Sequence, residues 1–165
     1  MEDDSREPRA RAFMTRRTVC ARETDTVREL CERLRGEQIT CVPVIDEANR
    51  VHGVVSLTDL LAPVGSANGV SDFHTSPAMD NMASVHRFLT PKPSALDRPV
   101  SAFMARDWTS IRPDAPIAEV AAVLLTHKIH RVLVTEQGRL VGLISVTDVL
   151  AAIAGRQPAA NCGTA

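Results

Sequence analysis

Little net charge separates this chain from polyanion binders: 19 Lys and Arg stand against 20 Asp and Glu, for a formal charge of −1. Mixed signs of this kind leave no electrostatic footprint for a nucleic acid polymer or an acidic membrane, although a small phosphate site can still be locally basic. Long apolar runs are missing too, and none approaches a membrane span. The acidic start, Met1-Glu2-Asp3-Asp4-Ser5, lacks the apolar core of a signal peptide, so the expected compartment is the cytoplasm. Cys20, Cys31, Cys41 and Cys162 show no C-x-x-C spacing and no matching histidine pair, which argues against zinc and against a disulfide framework. Cys31 and Cys41 read as small core residues.

Catalytic signatures are equally absent. There is no G-x-S-x-G, no H-E-x-x-H and no Walker loop, and His52, His74, His86, His127 and His130 are scattered. A reaction class needs a named nucleophile or base, so no enzyme activity and no catalytic residue is expected.

What is present is a duplication. Gly53-Val54-Val55-Ser56-Leu57-Thr58-Asp59-Leu60-Leu61 returns as Gly142-Leu143-Ile144-Ser145-Val146-Thr147-Asp148-Val149-Leu150, with Gly, Ser, Thr, Asp and the last Leu in register. A shift of 90 residues also lays Phe13-Met14 on Phe103-Met104, Arg22 on Arg112, Leu34 on Leu124 and Val44 on Val134. The shift becomes 89 after the turn at Glu47-Ala48-Asn49, because Glu136-Gln137-Gly138 is one residue shorter. A unit of about fifty residues buries too little alone, so two copies are expected to share a core.

Within each copy the periodicity changes from helix to strand. Val27, Leu30, Cys31 and Leu34 mark one face of a helix, as do Ile117, Val120, Ala121 and Leu124. Thr26 with Glu29 fits a capping box and Gly36 a stop; Asp114 is the expected cap of the second helix, with Pro116 in its first turn. Two strands with a tight turn follow, Cys41 to Ile45 with Val51 to Ser56, and Arg131 to Thr135 with Leu140 to Ser145. Pro43 must turn its nitrogen away from the pairing or lie at a strand entrance. A second helix follows each Ser-x-Thr-Asp. Short extended pieces at Thr18-Val19-Cys20 and Thr109-Ser110-Ile111 open the repeats, so each reads strand, helix, strand, strand, helix.

The expected organisation is a lead-in at 1–8, repeats at 9–62 and 99–154, an inserted connection at 63–98 and a flexible tail at 155–165. Charge and a proline make the lead-in, to about residue 11, read as disordered. Met79, Met82, Val85 or His86, and Leu89 are spaced as one short helix inside the connection.

The chemistry left to place lies where each repeat runs from a strand into a helix. Free N–H groups and the helix dipole favour an anion there, Ser and Thr add neutral donors, and a carboxylate suits a vicinal diol. Ser, Thr and Asp are equally the residues that merely cap a helix, and both readings stand. The second repeat adds Lys128-Ile129-His130-Arg131, of which at least one basic group can reach the cleft between the repeats. The first repeat has Thr40-Cys41 instead, so any phosphate clamp is asymmetric.

With Phe-Met at each start, Val42-Pro43-Val44 and the two Gly-h-h-Ser-x-Thr-Asp ends, the chain resembles a tandem pair of CBS domains, the Bateman module. Its second repeat is similar to repeats of the γ-subunit of AMP-activated protein kinase. The resemblance implies an α/β fold of two βαββα repeats about a pseudo-twofold axis, packed through their sheets with helices outside. It implies ribose hydroxyls on Asp59 and Asp148, with sugar and phosphate lined by Ser56, Thr58, Ser145 and Thr147. His130 and Arg131 would contact phosphate, of their own or the other repeat's ligand. The implied ligand is AMP, ADP or ATP, with S-adenosylmethionine a further candidate; the implied assembly is a helix-mediated homodimer that regulates a separate protein. No metal is implied. Leu133 departs from the family by standing where a proline is usual.

Overall fold

The computed structural model describes residues 7–61 and 95–156. The suggested helix around Met79 to Leu89 and most of the tail therefore lie outside the described residues. In chain order the elements are α1 (Ala10–Phe13), α2 (Val27–Gly36), β1 (Cys41–Ile45), β2 (Val51–Ser56), α3 (Leu57–Leu61), a 3-10 turn (Val100–Ala102), β3 (Ser110–Ile111), α4 (Ile117–His127), β4 (Arg131–Glu136), β5 (Arg139–Ser145) and α5 (Val146–Ile153).

They gather into two compact units that do not follow the repeat boundaries. One is residues 19–108, the other residues 1–18 with 109–165. Each is the body of one repeat closed by the lead-in written ahead of the other.

In the 19–108 unit, β1 and β2 form an antiparallel pair, with Cys41 opposite Ser56 and Pro43 opposite Val54. Leu30 and Leu34 of α2 bury their side chains completely, with Val27, Val42, Val44 and Val55. These are the apolar positions that the helical and alternating periods mark; Cys31, at the margin of the stripe, is half-buried. Thr26 closes the expected capping box: its Oγ1 accepts the Glu29 N–H at 3.3 Å, and Glu29 Oε2 accepts the Thr26 N–H at 2.8 Å. These bonds from Thr26 hold the Glu29 carboxyl below its ordinary range. A lowered folded-state value stabilises the fold above the unfolded value and loses that contribution as pH falls through the folded one. We expect Thr26→Ala to cost about 1 kcal/mol in denaturant unfolding near neutral pH, with the deficit narrowing as Glu29 protonates.

Pro43 sits in the middle of β1, and its carbonyl accepts the Ala21 N–H at 3.0 Å. Its nitrogen therefore faces the Ala21 side and away from β2, the first of the two arrangements the sequence allows. The missing N–H also explains why the opening strand of this repeat shrinks to a single bridge, Ala21 with Val44. Leu133 restores that donor in the other repeat, and β3 pairs there in parallel over two residues, Ser110 with Leu133 and Ile111 with Val134.

In the unit of residues 1–18 and 109–165, β4 and β5 pair antiparallel with Arg131 opposite Ser145. Val120 and Leu124 of α4 are buried, as are Val132, Leu133, Val134 and Ile144 of the sheet.

Three expectations are revised. Asp114 is not the cap of α4: Pro116 is the N-cap residue, the Ile117 N–H donates to the Pro8 carbonyl at 2.9 Å, and Asp114 pairs with Arg11. Gly36 is the last residue of α2 rather than the left-handed residue beyond it; that position is taken by Gln38 (φ 53), matched by Lys128 (φ 53) after α4. The charged lead-in is docked from Pro8 onward, with the Ala10 N–H on Ala115 O and the Arg11 N–H on Pro113 O, both at 2.9 Å. Charge argues only that side chains stay in water; here the backbone makes the bonds and Ala10 is fully buried.

The second lead-in repeats the arrangement on the 19–108 unit. The Val27 and Arg28 N–H groups, orphans at the start of α2, donate to Arg98 O and Leu96 O at 2.9 Å each.

Candidate functional site

Both Ser-x-Thr-Asp sequences fall where a strand hands over to a helix. In the unit of residues 1–18 and 109–165, Ser145 ends β5 and caps α5. Its N–H and Oγ–H both donate to Asp148 Oδ2, at 2.7 and 2.5 Å, while Ser145 Oγ accepts the Asp148 N–H at 3.4 Å. Ser56 and Asp59 repeat this at the end of β2, with Asp59 Oδ2 accepting the Ser56 N–H at 2.7 Å and Oγ–H at 2.6 Å. In each box the accepting carboxylate oxygen is Oδ2. Asp148 and Asp59 are half-buried; Ser145 is half-buried, whereas Ser56 is 4% exposed. Thr147 is exposed in the first turn of α5, and Thr58 lies in the first turn of α3.

A further tie sets the mouth of each site. The Val146 N–H donates to His130 O at 2.9 Å, and the Leu57 N–H to Thr40 O at the same distance. The start of each helix is thus pinned to the residue before the neighbouring strand. Arg131, half-buried, stands opposite Ser145 in the ladder, and directly opposed residues project from one face of a sheet. His130 is exposed beside it.

One end of the β4–β5 hairpin therefore gathers His130, Arg131, Ser145, Thr147 and Asp148. The equivalent end of β1–β2 gathers Ser56, Thr58 and Asp59, with Cys41 in the place of Arg131. A guanidinium, two hydroxyl-bearing side chains and a carboxylate around a helix N-terminus can hold a polyol and an anion together. The second site offers the Ser56 hydroxyl and the Asp59 carboxylate, with Cys41 in the place of the arginine.

Gly53 and Gly142 belong to these sites although the sequence reading assigns them no role beyond the repeat. A Cβ on Gly53 would lie 2.5 Å from Ala105 O, and one on Gly142 would lie 2.8 Å from Met14 Sδ and 2.9 Å from Thr15 O. The lead-ins pair there with the outer strand edges, Ala105 with Val54 and Thr15 with Leu143. The recurrence of glycine three residues before each serine is the signal that could have found this.

Burial pushes the Cys20 and Cys31 thiols up, which disfavours the thiolate a nucleophile needs. Among the described residues no group of three or more His, Cys, Asp and Glu could hold a metal ion, and no helix is long and apolar enough to cross a membrane.

Comparison with known proteins agrees with this geometry. The model of the CBS domain matches residues 10–65 and 100–155. Over 150 residues the chain is 29% identical to the magnesium transporter MgtE of Thermus thermophilus, an alignment that takes in 87% of this chain and 26% of the transporter. The chain thus spans about a quarter of that curated relative. Among solved structures, CBSX2 in complex with AMP superposes with a TM-score of 0.65 at 26% identity, covering 89% of this chain and 97% of that one. The CBS domain pair of protein MJ0100 in complex with 5′-methylthioadenosine and S-adenosyl-L-methionine gives 0.61 at 16% identity, over 90% and 98%, a likeness of fold alone. With both repeats matched and the strand-to-helix ends built alike, this chain belongs to the CBS-domain family as a tandem pair.

Proposed function

We propose that this chain is a regulatory module that binds an adenosyl compound, namely AMP, ADP, ATP or S-adenosylmethionine. It has no catalysis of its own and acts on a separate protein through ligand-dependent conformation or the geometry of a homodimer. Asp148 and Asp59 accept the ribose hydroxyls, Ser56, Thr58, Ser145 and Thr147 line sugar and phosphate, and His130 and Arg131 meet phosphate. One observation carries this reading: the capping box on α5 closes on Oδ2 of Asp148, and Arg131 is the residue opposite Ser145 in the ladder beside it. The AMP complex of CBSX2 supports the ligand class, as does the complex of the MJ0100 domain pair with two adenosyl compounds. A ligand shifts such a module only by its differential affinity for two shapes.

The completeness of the capping boxes favours a second reading, in which Ser and Asp serve the helices alone and the module is a vestigial scaffold for dimerisation or protein contact. Calorimetric titration of the full chain with AMP, ADP, ATP and S-adenosylmethionine separates the two. Saturable heat with at least one of them is the expected result; silence for all four favours the scaffold.

A further inference from the structure

The duplication supplies a control for one cluster of charged side chains away from the strand-to-helix ends. His52 of β2 stands between two carboxylates: its Nδ1 lies 3.3 Å from Glu23 Oε1, and its Nε2 lies 3.3 Å from Asp46 Oδ2. Four segments of the 19–108 unit meet there. Glu23 comes from the turn before α2, Asp46 from the turn between β1 and β2, and Arg106 from the second lead-in, with its Nη1 3.8 Å from the same Glu23 oxygen. Arg22 lies alongside, its Nη1 donating to Ile45 O at 3.3 Å. The hairpin turn splints Asp46, whose Oδ1 accepts the Ala48 and Arg50 N–H groups at 2.8 Å each while Oδ2 faces the ring. The Arg50 N–H above all holds the Asp46 carboxyl below its ordinary range. The fold does not require this cluster. Shifts of 90 residues put Pro113 at the place of Glu23 and Glu136 at that of Asp46, and a shift of 89 puts Val141 at that of His52.

We propose that His52 is a pH-responsive clasp that tightens the hold of the second lead-in on β2 as the pH falls. A neutral imidazole donates from one nitrogen and turns a lone pair towards the other carboxylate, whereas an imidazolium donates from both. Histidine is the side chain that ordinarily changes charge between about pH 5 and 8. The clasp is therefore complete on the acidic side and gives up one of its two bonds as the pH rises. Its connection to the lead-in is short. His52 lies two residues from Val54, whose N–H and carbonyl pair with Ala105 at 2.9 and 2.8 Å, and Arg106 is the next residue. The Ser101 N–H also donates to Glu23 O at 3.1 Å, so Glu23 is joined to the lead-in at both Ser101 and Arg106. Fixing the Glu23 carboxylate on His52 thus fixes the lead-in to β2. His52 and Glu23 are each 38% exposed and Asp46 35%, so water screens the pairs and the effect is a modest one. The inference is independent of the ligand and of the proposed function.

Amide hydrogen exchange of the full chain at about pH 5.5 and about pH 7.5, corrected for intrinsic exchange, tests it within the histidine range. The Thr15 and Leu143 amides pair in the same way in the other unit, where Val141 stands in the place of His52, and they are the internal reference. Protection of the Val54 and Ala105 amides relative to that reference is expected to rise about twofold to fivefold on acidification, the range for half-exposed charge pairs. His52→Gln, with circular dichroism to confirm folding, is expected to remove the rise. Glu23→Gln is expected to reduce it although the histidine remains. A ratio indifferent to pH in the wild type, or a rise that survives undiminished in either variant, overturns the clasp.

Discussion

Asp148→Ala is expected to weaken binding of the preferred adenosyl compound about tenfold to a hundredfold, the loss of a charge-assisted pair of hydrogen bonds worth roughly 1.5–3 kcal/mol. The same change removes a cap, because Asp148 Oδ2 holds the Ser145 N–H and Oγ–H. It should therefore also cost about 1 kcal/mol of stability. Asp148→Asn separates the effects: its amide oxygen can still accept both bonds of the box, while the negative charge offered to a diol is gone. The account predicts a melting temperature close to wild type with most of the affinity loss retained. An affinity unchanged in both variants would remove this carboxylate from the site, and loss of stability without loss of binding would assign it to the helix alone.

Gly53→Ala is expected to destabilise the chain by about 1–3 kcal/mol, the range for forcing an added methyl into a packed position. The new Cβ would stand 2.5 Å from Ala105 O, the oxygen that accepts the Val54 N–H at 2.9 Å, so that backbone pairing must give. Gly142→Ala should cost less, because its Cβ meets the flexible Met14 side chain at 2.8 Å and the backbone oxygen of Thr15 only at 2.9 Å, against 2.5 Å to the Ala105 oxygen at Gly53. Gly36→Ala should go the other way, gaining about 0.5–1 kcal/mol, since it lies in α2 with nothing within 4 Å of an added Cβ. Urea unfolding of the three variants checks the order. A Gly53→Ala chain as stable as Gly36→Ala would mean that the lead-in does not hold the edge of β2.

Much of this was legible in the residues because it repeats locally. Val27, Leu30 and Leu34 recur at helical spacing and are buried together, and the Thr26 and Glu29 pair closes within one turn. Ser145 and Asp148 lie three residues apart, so the strand-to-helix site could be read from spacing as well. What could not be read depends on chain segments far apart. Pro8 and Arg98 act through backbone carbonyls, to which side-chain composition is blind, and Asp114 gave up the cap of α4 because Pro8 O already takes the Ile117 N–H. The exchange of lead-ins between units follows from those long-range bonds, and the reason for Gly53 and Gly142 appears only once the exchanged segments are in place. Pro43 lies between these cases. Its cost to a strand is a local rule, but the side on which the cost falls was settled by the bond from Ala21.

The central claim is that a sugar-phosphate guest is gripped at the acidic end of a strand-to-helix junction. A crystal of the full chain grown with AMP, ATP and S-adenosylmethionine together tests it most directly. The account predicts an adenosyl group whose ribose hydroxyls lie within hydrogen-bond distance of Asp148 or Asp59. A ligand bound elsewhere, with both carboxylates serving only Ser145 and Ser56, would contradict it.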